Sequence, residues 1–263
     1  MPVSDRESGG GAAPAPRDRE WFRRAFGARY PLVYAHRDDA EAERVVALLK
    51  PHLPPGPVLD LACGAGRHLR ALARAGAWAC GVDLSADLLR LAAADAPRLR
   101  LVRGDLRALP FRSDAVASAL CLFSSFGYFE DDAENLRVLG EMRRVLRVGG
   151  CLVLDLANPY DARRRGGGET ERVAGNGIVV RETKRVADGG RRIDKRVTIV
   201  AADGALLDEY VEQLRLFEPQ EMESIARGRS LALERWWGDY GGAPWGEGSP
   251  RLIGLFTARE HGA

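Results

Sequence analysis

The sequence predicts an α/β fold: a mostly parallel sheet with helices on both faces, carrying an inserted antiparallel β meander. Three observations predict it. From residue 58 to 157, short apolar runs alternate with segments of helical period, the pattern of strands joined by crossover helices. From 177 to 217 the period drops to two, with the turn signals Asp188-Gly189-Gly190 and Asp203-Gly204 between the runs. A helix and two more strands then follow, which brings the main sheet to seven strands.

Residues 38–50, DDAEAERVVALLK, put Ala42, Val45, Val46 and Leu49 on one helical face, and prolines at 51, 54 and 55 stop the helix. PVLDLA is a buried strand, RHLRALARAG a helix ended by Gly76, and AWACGVDL a second strand. Ser85 suits the N-cap of ADLLRLAAADA, with Pro97 just beyond that helix. LRLVRGD and AVASALCLF are the third and fourth strands. Asp131 or Asp132 starts a helix with Leu136, Leu139, Met142, Val145 and Leu146 on one face, and Gly149-Gly150 ends it before the fifth strand, CLVLDLA. GIVVRETKRVA, RRIDKRVTIVA and LLDEYVEQLRLF make a three-stranded meander, whose alternating Ile193, Val197 and Ile199 require a packing partner. EPQEMESIARG is a short helix, and LALERWWG and RLIGLFTAR are the last strands.

Composition narrows the function classes. The 263 residues, 46% of them hydrophobic, suffice for one large α/β domain. Thirty-nine basic residues face 37 acidic ones, interspersed, for a net charge of +2. No basic stripe of the kind that binds phosphate backbones is present, so no nucleic-acid partner is expected. No apolar run approaches the roughly 20 residues of a membrane span, and MPVSDRESGGGAAPAPRDRE has no hydrophobic signal core. Residues 1–19 read as a flexible tail. Cys63, Cys80, Cys121 and Cys151 form no CxxC pair and read as reduced core thiols, which with the missing signal core predicts a cytoplasmic protein. No metal cluster is visible, so metal independence is expected.

The stretch from Val58 to Gly76, VLDLACGAGRHLRALARAG, carries the most chemistry. In an open α/β sheet, ligands bind outside the carboxyl ends of the strands. Gly64 and Gly66 let the backbone pass close to a ligand, and the following helix offers unpaired N–H groups. A dinucleotide site would want a third glycine where Leu69 stands, and Asp60 would repel a pyrophosphate. The expected ligand therefore carries a cation. The second strand ends in Asp83, placed like an acid that accepts from ribose hydroxyls, and the third in Gly104-Asp105-Leu106. Three carboxylates on three successive strand ends face one crevice.

DLACGAG, GVDLS, GDLRALPF, LRVGG and the final two strands together resemble the class I S-adenosylmethionine-dependent methyltransferases, whose first motif is D/E-x-G/A-x-G-x-G. The resemblance covers 58–156 strongly and 218–260 loosely. It implies a Rossmann-like fold and S-adenosyl-L-methionine as cofactor. It further implies that the turn Ala62, Gly64, Gly66 approaches the methionine moiety, with Asp60 near the sulfonium side and holding the turn. Asp83 and Leu84 would meet the ribose, and Asp105 and Leu106 the adenine. In CLFSSFGYFED, after the fourth strand, Leu122 and Phe123 would pack on the cofactor, and Phe126, Tyr128 and Phe129 would line the acceptor pocket. The N-terminal segment RYPLVYAHRDD would close over the site, with Tyr30 or Arg37 reaching the cofactor carboxylate. His36, His68 and Tyr128 are the candidate catalytic groups. Asn158-Pro159-Tyr160 follows strand five rather than four and lacks a second proline, so it is not read as an amino-methyltransferase signature.

The expected reaction is methyl transfer to an O, N or C nucleophile of a small molecule, by a monomer or homodimer. The expected organisation is a tail over 1–19, cap helices over 20–57 and a cofactor-binding core over 58–160. Inserted strands over 161–217 would serve as a lid or acceptor wall, and 218–260 would complete the sheet. A nucleotide-dependent oxidoreductase is the rival reading, opposed by Leu69 and Asp60. A non-catalytic cofactor-binding subunit is opposed by the intact acids. A polyamine synthase lacks its acidic amine-site pattern after strand four.

Overall fold

The computed structural model describes residues 18–34 and 38–260. Residues 1–17, His36 and Arg37, to which the sequence reading gave a tail and site roles, lie outside the described residues.

Strands β1 (Val58–Leu61), β2 (Ala79–Asp83), β3 (Arg100–Arg103), β4 (Val116–Cys121) and β5 (Leu146–Ala157) run parallel. They join β10 (Leu231–Trp237) and β11 (Arg251–Ala258) in one seven-stranded sheet of order β10-β11-β5-β4-β1-β2-β3. Only β11 runs against its neighbours, β5 and β10. The chain order reverses between β1 and β4, which puts the switch point at their carboxyl ends.

Period-two alternation divides the apolar side chains between the two faces of this sheet. Leu59, Leu61, Ala119, Cys121, Leu152 and Leu154 enter one core, shared with α6 (Asp132–Val145) and α8 (Pro219–Arg227). Val58, Leu120 and Val153 enter the other, with α3 (Asp39–Leu49) and α4 (Arg67–Arg74). Helix starts follow their caps: Asp38 accepts from the Glu41 amide, Asp131 from the Ala133 amide, and Ser85 from the Leu88 amide at 3.2 Å, opening α5 (Ala86–Asp95). No described helix is long and apolar enough to cross a membrane. The four cysteines are free thiols, three of them buried.

The inserted sheet differs from expectation in strand number. It has four antiparallel strands: β6 (Gly167–Val173), β7 (Val179–Ala187), β8 (Arg192–Val200) and β9 (Leu206–Arg215). β6, GGETERV, pairs with β7 along its whole length but is exposed almost throughout, so it has no buried face to imprint an alternation. A short helix, α7 (Pro159–Arg165), leads into it, capped by Asn158. A second difference lies at Leu146–Gly150. The sequence reads Gly149-Gly150 as the end of the helix, whereas α6 stops at Val145 and β5 already begins at Leu146. The β4–β5 register slips opposite this segment, and a Cβ at Gly150 would stand 2.8 Å from the Arg147 carbonyl.

Val180, Val197, Ile199 and Tyr210 of the inserted sheet pack on α1 (Trp21–Ala25) and α2 (Tyr30–Val33), burying Trp21, Phe22, Ala25 and Val33. The meander thus finds its packing partner in the N-terminal helices.

Candidate active site

A cleft of about 320 Å³ opens at the carboxyl ends of β1, β2 and β4, a size usual for small-molecule sites. Asp60, one residue from the end of β1, forms its floor and is 1% exposed. Its Oδ2 is enclosed and meets no hydrogen-bond donor among the described residues. Burial, helped by the neighbouring Asp83 and opposed by Arg67, pushes the Asp60 carboxyl up to about 8.

Beyond Leu61 the backbone turns left-handed, with φ of 55° at Ala62, 54° at Gly64 and 77° at Gly66. An alanine in that region costs about 1 kcal/mol, which is the reason small residues suit it. Ala62 and Gly64 line the cleft. Gly66 does not, contrary to expectation. It faces the interior, where a Cβ would lie 3.0 Å from Leu99 and 3.1 Å from Ala92, so its role is to seat the turn against α5.

Asp83 fastens this turn in place. Its Oδ2 accepts from the Gly64 amide and its Oδ1 from the Ser85 amide, each at 2.8 Å. Burial raises its pKa, against the pull of those amides. Asp105 is gripped by Arg107, which donates through Nη2 at 2.7 Å and through its backbone amide at 2.9 Å. Burial works to raise the Asp105 pKa, but the Arg107 hydrogen bonds and charge outweigh it and hold it below its ordinary value. Leu84 and Leu106 line the cleft beside these acids.

After β4, Phe123 and Ser124 both adopt the left-handed conformation, at φ 56° and 60°. Leu122 and Phe123 reach the cleft, and the Phe123 ring lies 5.3 Å from His68 of α4. Arg67 sits 4.4 Å above the same ring. Tyr128 and Phe129 also line the cleft, but Phe126 does not. Once the backbone has turned at Phe123, Phe126 points into the core, with its ring 5.2 Å from Phe217.

The N-terminal helices close the mouth. Phe22, Phe26, Tyr30 and Tyr34 line it, and the Tyr30 and Tyr34 rings are 4.6 Å apart. Among the described residues, none from 161–217 lines the cleft; the inserted sheet reaches it through Tyr34. The Tyr34 hydroxyl donates to Glu212 of β9, 2.7 Å from each carboxylate oxygen, and accepts from Lys195 of β8. Lys195 Nζ is also 2.7 Å from Glu212. Sequence reasoning missed Lys195 and Glu212. The available signal was a lysine in step with the inward-facing Val197 and Ile199, in a chain with only three lysines.

Comparison with known proteins agrees with this architecture. The family model described as a methyltransferase domain matches residues 58–150. The dTDP-3-amino-3,4,6-trideoxy-alpha-D-glucopyranose N,N-dimethyltransferase of Streptomyces venezuelae is 30% identical over 236 residues, covering 87% of this chain and 94% of that one. The dTDP-3-amino-3,6-dideoxy-alpha-D-glucopyranose N,N-dimethyltransferase of Streptomyces fradiae is 29% identical over 225 residues, with 82% of each chain covered. Among solved structures, the CcbJ methyltransferase of Streptomyces caelestis shares the fold at a TM-score of 0.77 and 21% identity, over 90% of this chain and 98% of that one. Relatives aligned over most of their length carry the family assignment that the glycine turn first suggested, and the chain belongs to the class I S-adenosylmethionine-dependent methyltransferases.

Proposed function

We propose that this enzyme binds S-adenosylmethionine in the cleft of Asp60, Asp83 and Asp105 and methylates the amine nitrogen of a small molecule. The observation that carries the reading is Asp60, a carboxyl group enclosed at the floor with an oxygen that no donor among the described residues reaches. A ligand bearing a positive charge supplies what that oxygen lacks, and the cofactor is such a ligand.

The remaining assignments follow from chemistry at each position. Ala62 and Gly64 admit the methionine portion close to the backbone, and Tyr30 stands at the mouth toward its carboxylate. Asp83 accepts from the ribose hydroxyls through lone pairs that its two amide contacts leave over. Asp105 and Leu106 take the adenine edge, and Leu122 and Phe123 cover the apolar side. The cofactor, when bound, supplies an activated methyl group, and the chain supplies orientation and exclusion of water. An amine must be unprotonated to attack. The His68 imidazole at the cleft can take that proton, and the Tyr34 hydroxyl can do so only by relay, passing its own proton to Glu212 as it receives one. Phe22, Phe26, Tyr128 and Phe129 form the apolar wall for the acceptor.

Two relatives are named for amino-sugar nucleotides, so amino sugars on a dTDP carrier are the first acceptors to offer. The test is incubation with methyl-labelled S-adenosylmethionine and paired amino and hydroxyl sugar nucleotides, read by mass spectrometry. The expected result is one or two labelled methyl groups on amino acceptors. Label on hydroxyl analogues alone, or on no amine in a wider amine panel, overturns the nitrogen assignment.

A further inference from the structure

We propose that Asp155 and Arg251 are positioning residues for methyl transfer: their ion pair holds the 122–125 loop in the left-handed conformation that builds one wall of the cleft. The proposal rests on the cofactor reading given above.

Asp155 is 0% exposed, near the end of β5, and several groups converge on it. Its Oδ2 accepts from the Phe123 amide at 2.8 Å and from the Tyr240 hydroxyl at 2.8 Å. Its main-chain carbonyl accepts from the Ser124 amide at 2.8 Å. One residue therefore satisfies both amides of the consecutive left-handed pair, which lies beyond the end of the β4–β5 ladder at Cys121. Arg251, at the start of β11, donates to Asp155 Oδ1 through Nε at 2.8 Å, and its Nη2 donates to the Ser124 hydroxyl at 3.0 Å. The guanidinium thus spans strand and loop, and it sets a positive charge directly against the buried Asp155 side chain.

The loop so held delivers Leu122, Phe123 and Ser125 to the cleft. Neither Asp155 nor Arg251 lines the cleft, so neither touches a ligand there, and both act through the loop. Tyr240 completes the brace, donating to Asp155 while its ring lies 5.5 Å from that of Phe123. The ladder amides elsewhere in β4 and β5 do not depend on this pair, which separates positioning from general stability.

The test compares wild type, Asp155→Asn, Arg251→Gln, the double variant and Arg251→Lys. The readouts are calorimetric affinity for S-adenosylhomocysteine and hydrogen exchange at the Phe123 and Ser124 amides, against β2 and β3 amides as a control. Each neutralising single variant is expected to weaken affinity tenfold or more, or 1.4 kcal/mol, and to speed exchange at Phe123 and Ser124 but not in β2 and β3. The double variant should lose less than the product of the two singles, because no buried charge is left unpaired, and Arg251→Lys should recover most of the affinity. Folded single variants with wild-type affinity and wild-type exchange overturn the proposal. Exchange raised equally in β2 and β3 also overturns it, as that marks a purely structural role. Should the neutralising variants not fold, Tyr240→Phe and Ser124→Ala each remove one hydrogen bond from the brace without removing a charge. Faster exchange confined to the loop then supports the proposal, and unchanged exchange overturns it. Failure of wild type to bind S-adenosylhomocysteine defeats the cofactor reading alone, since the exchange measurement needs no ligand.

Discussion

Asp60 and Asp83, from the adjacent strands β1 and β2, both line the cleft, and the negative charge on Asp83 adds to burial in keeping a proton on Asp60 up to about pH 8. Burial raises Asp83 too, but two amides hydrogen-bond its oxygens and oppose that shift, whereas Asp60 Oδ2 meets no donor among the described residues. The floor of the site is thus poised to exchange a proton for a cation.

That exchange predicts a pH signature. The folded chain keeps a proton on Asp60 that the unfolded chain gives up near its ordinary value of 3.8. Stability from this group therefore falls as pH rises from that value to about 8, and Asp60→Asn should flatten the slope seen in thermal unfolding. A cationic ligand should lower the Asp60 pKa and expel the proton. S-adenosylmethionine binding should then tighten with pH between about 6 and 7.5, by at most tenfold per pH unit. Calorimetry in two buffers of different ionisation enthalpy should show proton release in wild type that Asp60→Asn lacks. Equal release in both would show that Asp60 is not the group concerned.

Asp83 should be the costliest of the three acids to remove. Its side chain ties the Gly64 turn to the start of α5, so Asp83→Ala loses both that tie and any ribose contact. Affinity for S-adenosylhomocysteine is expected to drop by about 1–3 kcal/mol, the range for charge-assisted hydrogen bonds. Asp105→Ala should cost less, because Arg107 already occupies much of that carboxylate. The ratio of the two affinities checks the ranking.

Ala62 separates backbone strain from space. With φ of 55°, Ala62→Gly relieves an unfavourable conformation while adding chain entropy, and the net change in stability should stay within about 1 kcal/mol. Ala62→Leu projects a large side chain into the cleft, and should abolish measurable S-adenosylhomocysteine binding without unfolding the chain. A leucine variant that binds like wild type would move the ligand away from this turn.

How far these features were legible in the sequence depends on whether each one leaves a local trace. The central parallel strands did, because both faces are buried: all four residues of β1 and all six of β4 are enclosed. The cap at Ser85 did too, and that at Asp131 to within one residue, since an N-cap is a one-residue signal; Asp38, read as the first helical residue, is instead a cap. β6 left none, because an exposed edge strand buries too little to alternate. The motif could not tell Gly64, which lines the cleft, from Gly66, which packs behind it, since both need the same backbone freedom. The inward turn of Phe126 and the Asp155–Arg251 pair follow from tertiary contacts, the latter between residues 96 apart in the chain. For the lid or wall expected at 161–217, no described residue of that range lines the cleft, and the inserted sheet's apolar face packs as a buttress on Trp21, Phe22 and Val33.

That buttress leads to a different expectation for the inserted sheet. Read as a separate lid, it could be cut out with cofactor binding intact. As packed, its removal would uncover Trp21 and Phe22 and free the helices whose Phe26, Tyr30 and Tyr34 close the cleft mouth. The cleaner probe is Lys195, whose ammonium is buried against Glu212 at 2.7 Å and beneath the Tyr34 ring at 4.4 Å. Lys195→Met removes the charge and leaves Glu212 enclosed and unbalanced, a loss on the order of 3 kcal/mol for a buried pair. Pairing it with Glu212→Gln should recover much of that stability, because no lone charge then remains inside. Activity should not recover with it, because Tyr34 would still lack the two charged partners that fix its hydroxyl at the cleft. Thermal unfolding measured alongside methyl transfer separates the two effects. A double variant that regains both stability and full turnover would mean that the sheet supports the N-terminal helices by packing alone.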